Sequence, residues 1–272
     1  MKMYDLNDKN KSMGEKALNL SKLIENGFNV PKGFVIDSKT TKNMISNHNE
    51  IKRILNSINL KNINDKVDNL KVKFNDKYDD KILRYFNRKN LEKVAVRSSS
   101  NLEDLEKHSF AGLFESYLNI ERENLISNVK NCIKSMFSKR VMIYLLQNNF
   151  DLTELNISII VQKMVDSKYS GVIFSKNPIN NDEKEIVIEI SKGLGEDIVS
   201  GKKTPNDYVI DKKNQEIIKK EEKENINGIE KKLKLLTKKT KEIESIFDSP
   251  VDIEFSFDDK ELFILQTRKI TT

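Results

Sequence analysis

Four stretches of this chain carry residues whose types and spacing could act on an anionic ligand. In SMGEKALNL (12–20), Gly14 and Lys16 fall in the first turn of an expected helix, where free backbone N–H groups favour an anion. A lysine opposes the helix dipole there and needs a reason, though an exposed surface lysine is the simpler one. The full phosphate-loop pattern G-x-x-x-x-G-K-[ST] is absent. In VRSSS (96–100), Arg97 leaves a strand into a serine-rich turn and can fork onto a phosphate. The same residues equally suit a plain turn. In SKGLGEDIVSGKKTPNDYVI (191–210), Gly193, Gly195 and Gly201 would let backbone approach a ligand closely, as they would serve a loop that binds nothing.

The fourth stretch is a terminal hairpin, VDIEFSF and ELFILQTRK, joined at Asp258-Asp259-Lys260. Asp252, Glu254 and Ser256 share one side of its first strand. In the returning strand Leu262, Ile264, Gln266 and Arg268 are expected on one face, where the last two interrupt an apolar run. If the register sets Glu254 near Gln266, two oxygen ligands for a hard cation stand beside an arginine that can hold a phosphate. A solvent-facing polar stripe is the alternative.

These groups need elements to position them. Ser12 and Glu15 have capping-box spacing, with Ala17, Leu20, Leu23 and Ile24 as an apolar face and Gly27 as a stop, so a helix is expected over 12–27. VPKGFVI (30–36) gives a turn and a strand, and the Asn/Lys-rich stretch from Thr40 to about Asn90 has helical spacing at Met44, Ile51, Ile54, Leu55 and Ile58, then at Ile82, Leu83 and Phe86. VAVRSSSNLEDLEKHSFAGLFESYLNI (94–120) opens and closes as a strand, with Phe114, Ser116, Leu118 and Ile120 on one side. Its polar connection far exceeds the two to five residues a hairpin needs. Leu125, Val129, Ile133, Met136, Phe137 and Tyr144 mark one long amphipathic helix. Strands are expected at 156–165, 170–175, 185–190 and 207–210, and a surface helix where Ile226, Ile229, Leu233, Leu236, Ile243 and Phe247 keep a three/four spacing. A mostly helical half gives way to a mostly strand half near residue 160, so the expected class is α+β in two lobes.

Composition bounds the partners. Among 272 residues, Lys+Arg exceed Asp+Glu by 48 − 42 = 6. The charges are mixed along the chain, with no Trp and no aromatic-rich basic block, so a lysine-rich surface is a better reading than a nucleic-acid site. One cysteine, Cys132, excludes an internal disulfide, and His48 and His108 are too far apart for the usual zinc spacings. No apolar run approaches a membrane span, and a cytoplasmic protein is expected.

The chain resembles the N-terminal ATP-binding domain of the phosphoenolpyruvate synthase and pyruvate phosphate dikinase family, which includes rifamycin phosphotransferases. The resemblance rests on GEKALNLSKLIENGFNVPKGFVI, VAVRSSSNLEDLEKHSFAGLFESYLNI, SIIVQKMVDSKYSGVIFSKNP, GLGEDIVSGKKTPNDYVI and VDIEFSFDDKELFILQTRKI, in family order over 14–270. It implies a two-lobed ATP-grasp fold closing on Mg-ATP, with lobes at 1–160 and 161–272. It also implies that Lys16 and Arg97 hold phosphates, that the SFAG segment is a flexible lid (about 97–116) bringing Gly112 and Ser116 over them, and that Gln162 lies at the adenine. Glu254 and Gln266 would bind the magnesium ions, and Arg268 would contact phosphate; Lys16, Arg97 and Arg268 are the implied catalytic cations.

Two departures stand out. Relatives commonly read Gly-Gly-Lys where this chain has Gly14-Glu15-Lys16, which puts an acid beside the phosphates. Neither His48 nor His108 has the Thr/Ser-His-Ala context of the family's phosphohistidine carrier. The implied activity is therefore an ATP-dependent phosphotransferase component that phosphorylates a histidine on a separate carrier with release of AMP. The ATP domain of a rifamycin phosphotransferase and a regulatory nucleotide-binding module are the alternatives.

Overall fold

The computed structural model describes residues 2–101, 113–195, 201 and 203–270. The chain forms two compact units, one of residues 1–21 and 32–164, the other of 22–31 and 165–272. The expected division at residue 160 falls inside a continuous strand. Ile160 is paired on both sides there, so this crossing comes after Met164, and 22–31 is an earlier excursion into the second unit.

In the first unit, β1 (Met3–Asp5), β2 (Gly33–Ile36), β5 (Ile157–Lys163), β3 (Val94–Ser100) and β4 (Ser116–Ile120) form an antiparallel sheet in the order β1-β2-β5-β3-β4. One face of β2, β3 and β5, with Phe34, Val96, Ile159 and Val161, is buried under α2 (Ser38–Met44), α3 (His48–Leu55), α4 (Ile63–Asp68), α5 (Asp79–Arg88), α6 (Arg122–Ser135) and α7 (Lys139–Gln147). Met44, Ile51, Leu55, Ile58, Ile82 and Phe86 enter that core, as their spacing predicts. Central β5 is buried on both faces, and its apolar alternation marks only the core side.

Three local expectations are corrected. The helix expected from residue 12 is interrupted: Lys11–Met13 is a 3-10 turn capped by Asn10, Gly14 takes φ 77°, and α1 starts at Glu15 (Glu15–Glu25). Ser12 is thus no cap of α1. Its other end is as expected, because Gly27 at φ 78° lets Phe28 N–H reach Leu23 O at 3.1 Å. The single long helix over 125–144 is two, because Ser138 turns out of helical geometry and caps α7 through Val141 N–H. In β4 the left-handed Asn119 (φ 56°) shifts the register, so Tyr117 and Ile120 pack on the core while Ser116 is exposed.

In the second unit, β11 (Leu262–Lys269), β10 (Val251–Phe257), β6 (Tyr169–Phe174), β7 (Glu185–Lys192), β8 (Asn206–Asp211) and β9 (Ile217–Glu221) form an antiparallel sheet in that order. The expected surface helix is α8 (Ile229–Phe247), which buries Leu233, Leu236, Ile243 and Phe247 and packs on β10. Strands β1 and β9 carry no apolar alternation and have no counterpart among the expectations; β9 is exposed throughout. Among the described residues no helix is long and apolar enough to cross a membrane.

Candidate functional site

The first unit gathers four of the expected residues on the sheet face opposite its core. Cα partners in a ladder share a face. Arg97 stands opposite Ser116 on β4 and Ile160 on β5, and Gln162 stands opposite Ala95 and Gly33. Arg97, Ser99, Ser116, Ser158 and Gln162 therefore project to one side. The turn before α1 is stitched onto this side. Ser99 Oγ accepts from Ala17 N–H at 3.2 Å, and Ser158 Oγ donates to Met13 O and to Ser99 O.

Gly14 makes this approach possible. A Cβ there would lie 2.4 Å from Ser99 O, and its φ of 77° is strained for any side chain. The contact sets the first turn of α1 against β3, where Lys16 Nζ donates to Ser98 O at 3.3 Å. Two side-chain cations and a helix N-terminus thus meet on one face. Gln162 is 2% exposed, and its Nε2 has no hydrogen-bond partner in the structure. A buried amide left so costs about 1–3 kcal/mol, which an acceptor on a ligand would recover.

The second unit carries the other expected residues on β10 and β11. Glu254 is the cross-strand partner of Gln266, and Asp252 that of Arg268. The register condition on the two oxygen donors is therefore met. The expected common face of Leu262, Ile264, Gln266 and Arg268 is not. Ile264 pairs with Phe255 and Gln266 with Glu254, so Leu265 is an extra residue that bulges the strand and reverses its faces. Gln266 and Arg268 join Asp252 and Glu254, whereas Ile264 lies with buried Phe255. The polar residues do not interrupt an apolar face.

Asp252 had no assigned role in the sequence, yet it holds Arg268. The guanidinium donates to Asp252 Oδ2 through Nε at 2.7 Å and through the adjacent Nη2, and Asp252 is 8% exposed. Burial raises the Asp252 pKa, Arg268 opposes the rise, and Glu254 adds to it. The face continues through Val172, Glu189 and Asp207 to Glu221, successive partners across β6, β7, β8 and β9. Glu189 is raised by burial and then by Asp207 and Asp252; Asp207 is raised by burial and then by Glu221. A lone acid inside the apolar EIVIEI run was the available sign of Glu189.

Glu254 and Gln266 offer one carboxylate and one amide oxygen. Mg2+ takes this donor set when waters and substrate phosphates complete its octahedron. Among the described residues no three His, Cys, Asp or Glu side chains group as a metal cage. Gly193 at φ 87° follows β7, and its carbonyl accepts from Ser170 Oγ. Gly112, His108 and the whole SFAG segment lie outside the described residues.

The family described as pyruvate phosphate dikinase, AMP/ATP-binding domain, matches residues 10–228 and 219–272. The chain belongs to this family. Among curated members it is 36% identical to an uncharacterized phosphotransferase, YvkC, of Bacillus subtilis over 95% of this chain and 33% of the relative. It is 30% identical to a rifampicin phosphotransferase of Bacillus cereus over 96% and 34%. It is 37% identical to a phosphoenolpyruvate synthase of Pyrococcus furiosus over 66% and 26%. The chain thus spans about a third or less of these relatives. Among solved structures, a D-alanine–D-alanine ligase from Coxiella burnetii aligns at TM-score 0.40 and 11% identity over 95% of this chain and 48% of its own.

Proposed function

We propose that this chain binds Mg-ATP in the ATP-grasp manner and transfers phosphoryl groups to a histidine that lies outside its sequence. The observation that carries the reading is the first unit's face, where Lys16, Arg97 and the unsatisfied amide of Gln162 converge with the α1 N-terminus. Lys16 and Arg97 bind phosphate oxygens, Ser116 donates a hydroxyl, and Gln162 donates to the adenine. Glu254 and Gln266 would hold magnesium, which would supply charge neutralisation for the phosphates during transfer. Asp252 fixes the Arg268 guanidinium, which then presents its remaining donors to phosphate.

The nucleophile is a carrier histidine. Its ring nitrogen attacks the β-phosphorus, the bond to the α–β bridging oxygen breaks, and AMP leaves while the β- and γ-phosphates pass to the histidine. Neither histidine of this chain fits that part: His48 opens α3 in the first unit, and His108 lacks the Thr/Ser-His-Ala context. Positioning an attacking group in line is worth several orders of magnitude in rate. Purified alone, the chain is therefore expected to bind Mg-ATP but form AMP only slowly. Adding a family carrier domain should accelerate AMP formation and leave an acid-labile phosphoryl group on the carrier. Rapid AMP formation by the chain alone, surviving His108→Ala, would refute the carrier reading.

A second reading draws on the rifampicin phosphotransferase, 30% identical over 96% of this chain. The same nucleotide site would then feed a rifamycin acceptor. Carrier domains from the two branches, presented to this chain in parallel, distinguish the readings by which one becomes phosphorylated.

A further inference from the structure

The sequence holds two Asn-Gly pairs, Asn26-Gly27 and Asn227-Gly228. A glycine after asparagine leaves the next backbone nitrogen unshielded by a side chain, so it can reach the asparagine's own amide carbon. The two pairs are matched in their surroundings. All four residues are exposed, and the glycines take φ 78° and 67°. A Cβ would meet nothing within 4 Å at Gly27, and at Gly228 only Lys232 Nζ, at 3.8 Å.

The pairs differ in what holds the reacting groups. Asn26 Nδ2 donates to Lys22 O at 2.8 Å and Gly27 N–H donates to Ile24 O at 3.0 Å, so both are tied onto the end of α1. Among the described residues neither the Asn227 side chain nor the Gly228 N–H makes a hydrogen bond. Lys232 Nζ donates instead to Asn227 O at 2.8 Å. That oxygen belongs to the same peptide group as the Gly228 nitrogen, and a cation on it favours loss of the N–H proton.

We propose that Asn227 is a site of spontaneous covalent modification, with Lys232 promoting it. The Gly228 nitrogen gives up its proton and attacks Asn227 Cγ. The new N–C bond closes a succinimide ring, the Cγ–Nδ2 bond breaks, and ammonia leaves, taking up a proton. Water then opens the ring at either carbonyl. Cleavage of the bond to Cγ yields aspartate, and cleavage of the bond to the main-chain carbon yields isoaspartate, with the chain running through Cβ. Each product puts a carboxylate where the chain had a neutral amide, beside the N-terminus of α8, where negative charge is favoured. The assignment does not depend on the phosphotransfer reading.

Peptide mapping by mass spectrometry tests it, on the full chain aged at mildly alkaline pH in heavy-oxygen water. Asn227 should convert roughly tenfold or more faster than Asn26, because two hydrogen bonds must first open at Asn26. Aspartate and isoaspartate should both appear at 227, each with one heavy oxygen. In denaturant, where those bonds are gone, the two sites should convert at similar rates. Lys232→Gln should slow Asn227 by roughly two- to tenfold in the folded chain. Lys232→Arg, which keeps a charged donor, should retain the parent rate. Equal rates at the two sites in the folded chain, a preference for Asn227 kept in denaturant, aspartate without isoaspartate, or a folded Lys232→Gln chain converting at the parent rate would each overturn the assignment.

Discussion

The first unit's sheet bears Arg97, Ser116 and Gln162 on its non-core face with Lys16 set against it, whereas the second unit's sheet bears Asp252, Glu254, Glu189 and Asp207. Both sheets are antiparallel, and both bury the other face. What separates them is the sign of the charge and how it is held. The basic face is assembled from a helix start and strands through backbone contacts to Ser98 and Ser99. The acidic face is a row of strand residues whose carboxyls repel one another and are driven up in pKa by burial. Like charges crowded in this way are stable only as far as a counter-charge relieves them. In the proposed function the first face takes phosphates and the second takes the metal ions.

Substitutions separate the two roles. The largest effect is expected from Gly14→Ala, which adds a Cβ 2.4 Å from Ser99 O at positive φ. It should destabilise by about 3 kcal/mol and lower Tm by roughly 10 °C, measured by calorimetry. A loss under a degree would mean that the α1 turn is not held as described. Next, Arg97→Ala should weaken ATP roughly 10- to 150-fold with or without magnesium, by isothermal titration. Glu254→Gln should act only on the metal. Magnesium stimulation of ATP binding falls at least about tenfold, while metal-free ATP binds as before. If both variants lose ATP alike in the absence of magnesium, the division between the faces fails.

The smallest effect concerns pH. Burial holds the Glu189 carboxyl above its unfolded pKa, so the folded state binds more protons across the carboxylate range. That contribution to stability is present at low pH and is lost as pH rises toward neutrality. Glu189→Gln should raise Tm at pH 7 by about 2 °C and flatten the dependence between acid and neutral pH. An unchanged profile would show that the acidic row is relaxed by solvent.

Much of this was legible in the residues. Periodicity identified β2, β3, β5 to β8, the hairpin and α8, because each buries an apolar stripe against one neighbour. It missed β1 and β9, short or fully exposed edge strands whose existence is decided by the neighbouring ladder. It fused α6 and α7 because apolar spacing runs through the break, and only the backbone at Ser138 reveals the second start. Of the candidate site, Lys16, Arg97, Glu254, Gln266 and Arg268 were visible as polar residues at strand or helix positions that need a reason, whereas Gln162 came only from the family resemblance. Asp252 as the partner of Arg268 was not, because cross-strand pairing depends on a register shift that the alternation conceals.

That shift gives the terminal hairpin a parity. A strand exposes alternate residues on alternate sides, so the side a residue takes depends on whether an odd or an even number of residues separates it from the turn. Leu265 is the one residue that sets the count for everything after Ile264. Deleting it would leave composition, hydrophobicity and length almost unchanged, yet it would turn Gln266 and Arg268 toward the packed side and bring Thr267 out in their place. Loop length at 258–260 can drift without consequence for this geometry, but a single-residue gap between Phe263 and Gln266 cannot. In a chain of this design, an odd gap there marks a hairpin whose Gln266 and Arg268 no longer face Asp252 and Glu254, even where every named side chain is still present.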